Sequence, residues 1–198
     1  MRPKLMEELG EGGCLSWEND APFIVDALSI IQPKNILEIG FFSGSSAFMW
    51  LYLSNAKVTS VDPMINLYEP NVKHDGRIEN VEKLKRMFPD RFTFIQKDSK
   101  VVRPDLAGQK FDMIFIDGDH WEQGIRNDFN LALDLNIPWV LVDDFVTSVL
   151  EVYKNEFVQK FLPPVRVYPR KDLFMGQPIP IVLLRQQDQI INQKYFNG

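Results

Sequence analysis

The stretch NILEIGFFSGSSAFMWLYLS, residues 35–54, decides the fold of this 198-residue chain. It opens with an apolar run, NILEIG (35–40), and continues through a glycine-containing turn into a helix-length segment from Ser43 to Ser54. An apolar run without polar alternation is typical of a strand buried on both faces, as in a parallel sheet. Gly40 and Gly44 would let the backbone bend tightly and approach a ligand closely. The stretch therefore predicts a strand, a ligand-binding turn and a helix in succession.

The same alternation continues along the chain and predicts a Rossmann-like, doubly wound α/β sheet. The last two apolar runs, PVRVYP (164–169) and IPIVLLR (179–185), have no helix-length segment between them and predict an antiparallel hairpin at one edge of the sheet. Near the start, NDAPFIVDALSIIQP predicts a helix with Asn19 or Asp20 as its cap and Pro22 in its first turn. The remaining predicted strands are 57–62, 91–98, 111–117 and 139–144, and the remaining predicted helices are 76–88, 121–135 and 146–162.

Composition narrows the class of protein. The net charge of −5 argues against a surface built to bind nucleic acid, since such surfaces are rich in Lys and Arg. Cys14 is the only cysteine, so an internal disulfide is excluded and a reducing compartment is expected. The opening residues lack a signal-peptide core and no window has the length of a membrane span, so we expect a cytoplasmic protein. We expect one domain over 1–198, with an N-terminal helical segment (1–33), a cofactor-binding core (34–145) and a last helix with the edge hairpin (146–198).

Polar residues fall at the carboxyl ends of the predicted strands, where open α/β sheets bind ligands. Glu38 and Gly40 end the first strand, Asp62 ends the second, and Asp98 ends the third. A carboxylate at Asp62 suits the two hydroxyls of a ribose, and Asp98 suits an adenine amino group. These positions predict a cofactor that contains adenosine. The G-x-G-x-x-G pattern typical of NAD binding is missing, because Phe41 and Phe42 fill the middle of the turn.

The segments ILEIGFFSGSSAFMWL, VTSVDP and FDMIFIDGDHWEQGIRNDFNLAL together resemble class I S-adenosylmethionine (SAM)-dependent methyltransferases. The nearest resemblance is to small-molecule O-methyltransferases of the catechol, caffeoyl-CoA and macrolide-sugar types. It covers roughly residues 20–150 and implies a seven-stranded sheet with its last strand pair reversed. It also implies a cofactor site for SAM, in which Asp62 holds the ribose. The other cofactor-binding residues so implied are Glu38, Gly40, Phe41, Gly44, Ser45, Asp98, Ser99, Asp117 and Trp121.

In the cation-dependent members of that family, acids ending the fourth and fifth strands hold a metal. The matching positions here are Asp117, Asp143 and Asp144, and hard oxygen ligands imply Mg²⁺. His120 stands where the catechol-type enzymes have a lysine base, and an imidazole suits proton abstraction near neutral pH. Asp119 is expected to orient that imidazole, to reach the cofactor, or to cap the next helix.

The resemblance predicts methyl transfer to a hydroxyl of a small molecule, assisted by a divalent metal with His120 as the general base. Two alternatives stay open: a metal-independent methyltransferase of the same fold, in which the acids cap helices, and a cofactor-binding protein without catalysis. Trp121 is either an apolar wall beside the adenine or the first core residue of the next helix. No nucleic-acid or membrane partner is expected, and the sequence leaves a homodimer open.

Overall fold

Seven strands form one sheet in the order β3-β2-β1-β4-β5-β7-β6 in a computed structural model. The structure describes residues 3, 4, 6, 9, 16–64, 75–145, 147–174 and 177–187. Strands β1 to β5 are parallel to one another, and β7 runs antiparallel between β5 and β6. The predicted doubly wound sheet with a reversed C-terminal hairpin is confirmed. The strands are β1 (Asn35–Ile39), β2 (Lys57–Val61), β3 (Phe92–Ile95), β4 (Met113–Ile116), β5 (Trp139–Val142), β6 (Arg166–Phe174) and β7 (Gln177–Arg185).

The helices cover both faces of this sheet and bury alternate strand residues. Ile36 of β1 packs with α1, α2 and α3 in one core, whereas its neighbour Leu37 packs with α4, α5 and α6 in the other. Two apolar cores thus lie on opposite faces of the sheet. The helices are α1 (Trp17–Ile31), α2 (Ser45–Leu53), α3 (Asp75–Met87), α4 (Arg103–Leu106), α5 (Glu122–Asp134) and α6 (Thr147–Val152).

Two predicted helices differ from the structure in their bounds or in their type. Helix α1 begins at Trp17, and its cap is Ser16 rather than Asn19 or Asp20. The Ser16 hydroxyl accepts the Asn19 N–H, while the buried Asp20 carboxylate accepts the Ser16 N–H, which satisfies donors at both sides of the cap. The predicted helix 146–162 is α only over Thr147–Val152 and continues as a π turn (Tyr153–Phe157) and a 3₁₀ turn (Val158–Lys160).

Cys14 and most of residues 1–15 fall outside the part of the chain that the structure describes. Within the described part, no helix combines the length and the apolar character that crossing a membrane requires.

Candidate active site

The ends of four parallel strands meet at one edge of the sheet. Gly40 follows β1, Asp62 follows β2, Asp117 follows β4 and Asp143 follows β5. Each of these four residues donates its backbone N–H to a carbonyl of a neighbouring strand, which continues the ladder by one residue. The sheet itself therefore brings these residues together, as their positions in the sequence predicted.

The turn between β1 and α2 depends on two glycines. Gly40 has a φ of 94°, and a Cβ there would lie 2.0 Å from the carbonyl oxygen of Asp117. Gly44 has a φ of 86°, and a Cβ there would lie 2.5 Å from Cζ of Phe41. Side chains are excluded at both positions by conformation and by space. The first glycine lets the turn lie directly against the end of β4.

Asp62 fastens this turn from the neighbouring strand. Its Oδ2 accepts the backbone N–H groups of Phe41, at 2.8 Å, and of Phe42, at 3.1 Å, and its Oδ1 accepts that of Met64. The ring of Phe41 is buried in the core against Phe94, so any cofactor contact at Phe41 falls to its backbone. Asp62 is largely buried, and its predicted bond to a ribose stays a prediction.

Glu38 is fully buried at the base of the turn. Its Oε2 accepts a hydrogen bond from the Ser60 hydroxyl on β2, a partner that the sequence did not reveal. Burial raises the pKa of Glu38 to about 8, although hydrogen bonds from Ser60 and Ser46 oppose the rise. Glu38 is therefore mainly protonated and neutral at pH 7.

Of the residues predicted to surround the adenine, Asp98 and Ser99 lie beyond β3 and Trp121 lies beyond β4. Asp98 is three residues past the strand end and accepts the backbone N–H of Lys100 at 2.8 Å. The Ser99 hydroxyl accepts a hydrogen bond from the Asn127 amide on α5 at 3.2 Å. Trp121 is 67% exposed, so it is not the first core residue of α5 and its indole is open to a ligand.

His120 lies between two carboxylates from different strand ends. Its Nδ1 is 2.9 Å from Oδ2 of Asp144, and its Nε2 is 3.6 Å from Oδ1 of Asp117. Burial alone would lower the pKa of His120, but the hydrogen bonds and charges of Asp117 and Asp144 raise it to about 11. The imidazole is consequently protonated at neutral pH and neutralises part of the acidic cluster.

Asp119 lies beside the start of α5 but does not cap it, because the N-cap residue is Trp121 and has no side-chain cap bond. Its Oδ1 accepts the backbone N–H of Trp121 at 3.0 Å, just before α5 begins, and its Oδ2 is 3.5 Å from Nζ of Lys100. The residue that orients the imidazole of His120 is Asp144, from the end of β5. Sequence spacing favoured Asp119 as the partner of His120, because the two residues are adjacent. The pairing of β4 with β5 instead brings Asp144 next to the imidazole.

The three predicted metal ligands do not form a metal site in this arrangement. Asp143 is 1% exposed, and its Oδ1 accepts the backbone N–H of Asp144 at 2.8 Å. Asp117 and Asp144 both face His120, which occupies the place between them. Among the described residues, no group of three or more His, Cys, Asp or Glu side chains is arranged to hold a metal ion. The Mg²⁺ prediction therefore gains no support.

Three polar residues near the site were missed by sequence reasoning. Asn80 donates its amide to the carbonyls of Ser43 and Leu9, both at 2.9 Å, and so joins the turn to the N-terminal segment. Arg77 lies over the ring of Phe42. Asp128, fully buried on α5, has a pKa that burial raises to about 6. The signal that could have found them was their spacing, since each is a polar residue on the apolar stripe of its helix.

Comparison with known proteins agrees with this architecture. The sequence profile of a family described as "Methyltransferase domain" (Methyltransf_24) matches residues 37–145. The chain is 34% identical over 104 residues to the uncharacterized protein R132 of Acanthamoeba polyphaga mimivirus, a match that covers 48% of this chain and 43% of that protein. The chain thus matches less than half the length of that relative.

Solved structures share the fold at low identity. The O-methyltransferase TomG from Streptomyces achromogenes, solved with SAM, has a TM-score of 0.68 at 14% identity. The match covers 94% of this chain and 91% of the TomG chain. An O-methyltransferase from Bacillus cereus, solved with S-adenosylhomocysteine, has a TM-score of 0.67 at 18% identity. The match covers 94% of this chain and 92% of that chain. At these identities the likeness establishes the fold, and the profile match over more than half of the residues establishes the family. The chain belongs to the methyltransferase domain family and has the class I SAM-dependent methyltransferase fold.

Proposed function

We propose that this protein transfers a methyl group from SAM to a hydroxyl of a small molecule. Its family and the SAM- or S-adenosylhomocysteine-containing O-methyltransferases of the same fold support the cofactor. The observation that carries the hydroxyl acceptor is the contact between His120 and Asp144, 2.9 Å apart at the strand-end edge. An acid-oriented histidine is the arrangement that removes a proton from a hydroxyl.

The residues present fit the cofactor. The glycine turn would hold the methionine end, aided by the N–H groups at the start of α2. Asp62 would bind the ribose, because Oδ1 accepts one N–H and keeps a lone pair for a hydroxyl. Ser99 and the exposed Trp121 would flank the adenine. When bound, SAM supplies an electrophilic methyl group on a sulfonium sulfur.

His120 would act on the acceptor. Asp144 fixes the ring through Nδ1, which leaves Nε2 to take the hydroxyl proton while the oxygen bonds to the methyl carbon. As that bond forms, the S–CH₃ bond of the methyl donor would break and leave its electron pair on sulfur. Nε2 is buried and faces Asp117 in the ligand-free protein, so the acceptor hydroxyl would have to enter beside Asp117. Because the carboxylates raise the pKa of the resting imidazole and hold it protonated, the base form is scarce at pH 7 and more abundant at alkaline pH.

Between the metal-assisted and the metal-independent mechanism, the geometry favours the second. A cation is needed near Asp117 and Asp144, because like charges in one cleft repel. The imidazolium of His120 already supplies that positive charge from within the chain. We therefore assign no step to Mg²⁺.

The test is transfer of label from [methyl-³H]SAM to a panel of hydroxylated small molecules, with EDTA or with added MgCl₂. We expect transfer in EDTA, with a loss of about 10²-fold or more in His120→Gln and little change in His74→Gln, the second histidine of the chain. Transfer that requires MgCl₂ would restore the metal-assisted mechanism. SAM binding without transfer to any acceptor would favour the non-catalytic alternative.

A further inference from the structure

Arg77 is a buried cation without a polar partner in the part of the chain that the structure describes. It is the third residue of α3, and its side chain is only 8% exposed. Its Nε and Nη2 are buried and form no hydrogen bond with any of those residues. Within the same residues, no carboxylate forms an ion pair with it. Arginine carries its charge at every physiological pH, so this charge cannot be removed by deprotonation.

The guanidinium lies beside the cofactor turn. Its Cζ is 5.0 Å from the centre of the Phe42 ring, and Phe42 stands in the middle of the turn between β1 and α2. Asn80, three residues further along α3, donates to the carbonyl of Ser43 and so holds this face of the helix against the same turn. Arg77 therefore lies on a helix that is held against the turn between β1 and α2.

The acid that fastens that turn, Asp62, forms no hydrogen bond with Nε or Nη2 of Arg77. The Asp62 carboxylate instead accepts the backbone N–H groups of Phe41, Phe42 and Met64. The Phe42 ring offers a cation–π contact, which compensates only part of the lost hydration of a guanidinium. A buried charge without an anionic partner destabilises the protein that contains it. A ligand with an anionic group would supply the missing partner and so account for a buried arginine at this position.

We propose that Arg77 binds an anionic group, a carboxylate or a phosphate, of a small molecule held at the cofactor turn. The planar guanidinium presents paired N–H donors that match the oxygens of such a group. The assignment rests on the proposed function, which offers two sources of the anion. One is the methionine carboxylate of SAM, and the other is an acidic group on the acceptor, which would then belong to the hydroxylated acids or phosphate esters.

The test compares Arg77→Met, which keeps the length without the charge, with Arg77→Lys and with Arg86→Met, an exposed arginine of the same helix. Calorimetry measures the binding of SAM, of 5′-methylthioadenosine, which lacks the carboxylate, and of inorganic phosphate. A loss of SAM affinity of at least about tenfold in Arg77→Met, with methylthioadenosine unchanged, identifies the carboxylate of the cofactor. Unchanged SAM affinity with loss of phosphate binding identifies an acidic acceptor.

If Arg77→Met binds all three ligands as tightly as the wild type does, the proposal is overturned. The melting temperature separates a binding role from a structural one. Removing a buried charge that awaits a ligand should leave the ligand-free protein as stable as the wild type or more so, whereas a structural arginine would lower its melting temperature. Arg77→Lys should retain part of the binding. A wild type that binds phosphate but not SAM would refute the proposed function and leave the anion site standing.

Discussion

Glu38 carries a neutral carboxylic acid in a fully buried place, and its titration links pH to stability. Burial raises its pKa to about 8 from an ordinary value of 4.5. A raised pKa means that the folded state binds the proton more tightly than the unfolded chain does. The stabilising contribution is complete below pH 4.5 and is lost as pH rises through about 8.

We expect Glu38→Gln, which cannot ionise, to be increasingly more stable than the wild type as pH rises from about 5 to about 9. The change in that difference should be on the order of 4 kcal/mol, because the pKa is raised by several units. Urea denaturation across this pH range measures it. Glu79→Gln, at an exposed position on α3, is the control for the loss of a carboxylate. A flat profile for Glu38→Gln would show that burial does not raise the pKa of the Glu38 carboxyl.

His120 is predicted to remain protonated well above neutrality. The chain has two histidines, so the imidazole signals in a proton NMR titration are assigned by the signal that His120→Gln removes. We expect the His120 signal to stay in its protonated position up to about pH 9, because Asp117 and Asp144 raise its pKa to about 11. Asp144→Asn removes one of these charges and should bring the transition toward neutral pH. A wild-type midpoint near 6.5 would contradict the ion-pair geometry.

At this scale the sequence predicted residue positions better than residue contacts. Parallel strands end at one edge, so the order of the elements along the chain was enough to place Asp62, Asp117 and Asp143 together. The partner of His120 could not be found in this way, because Asp119 is adjacent in sequence and Asp144 adjacent only through the β4–β5 pairing. Arg77 was missed for a related reason, since the Phe42 ring that covers it is contributed by another element.

At the scale of elements, the close approach of the β1–α2 turn to the end of β4 is the most sensitive contact. A methyl group at Gly40 would lie 2.0 Å from the Asp117 carbonyl oxygen and would also occupy a φ of 94°. We expect Gly40→Ala to lower the free energy of unfolding by at least about 3 kcal/mol, from backbone strain and displacement of β4. SAM affinity should fall with it.

Gly108 supplies the matched control for that substitution. Its φ is 78°, but a Cβ there meets nothing within 4 Å. Gly108→Ala should therefore show the conformational strain alone, about 1 kcal/mol, without loss of SAM binding. Equal destabilisation by the two alanines in urea denaturation would mean that the contact with β4 contributes nothing.

The sequence predicted the bounds of an element correctly only where its local pattern, an apolar run or a capping residue, matched the packing of the folded chain. The apolar strands were predicted because burial on both faces leaves a continuous run in the sequence. The start of α1 was misplaced, because Asn19 and Asp20 are themselves good caps and only Ser16 has Asp20 positioned to return a bond. The four-residue helix Arg103–Leu106 went unpredicted, because it is too short to show a helical period.

At the scale of the molecule, the sheet divides the apolar interior into two cores that share the central strands. Phe48 of α2 belongs to one core and Phe129 of α5 to the other, and both side chains are fully buried. Because the central strands contribute residues to both cores, neither face can lose its packing while the other keeps its sheet. The expected behaviour is a single cooperative unfolding transition.

The last prediction tests that coupling with Phe48→Leu, Phe129→Leu and the double variant. Each single change should reduce the free energy of unfolding by about 1 kcal/mol, and the double change should equal their sum within about 0.5 kcal/mol, because the two sites lie in different cores. Of the four tryptophans, Trp17, Trp50 and Trp139 pack in the core of Phe48 and Trp121 is exposed. Tryptophan fluorescence therefore reports mainly one face, whereas circular dichroism reports all helices. Coincident urea transitions by both probes, shifted alike by either substitution, are expected. A fluorescence transition that moves only with Phe48→Leu would mean that the two faces unfold separately, and that the strand-end edge between them is less rigid than the shared sheet implies.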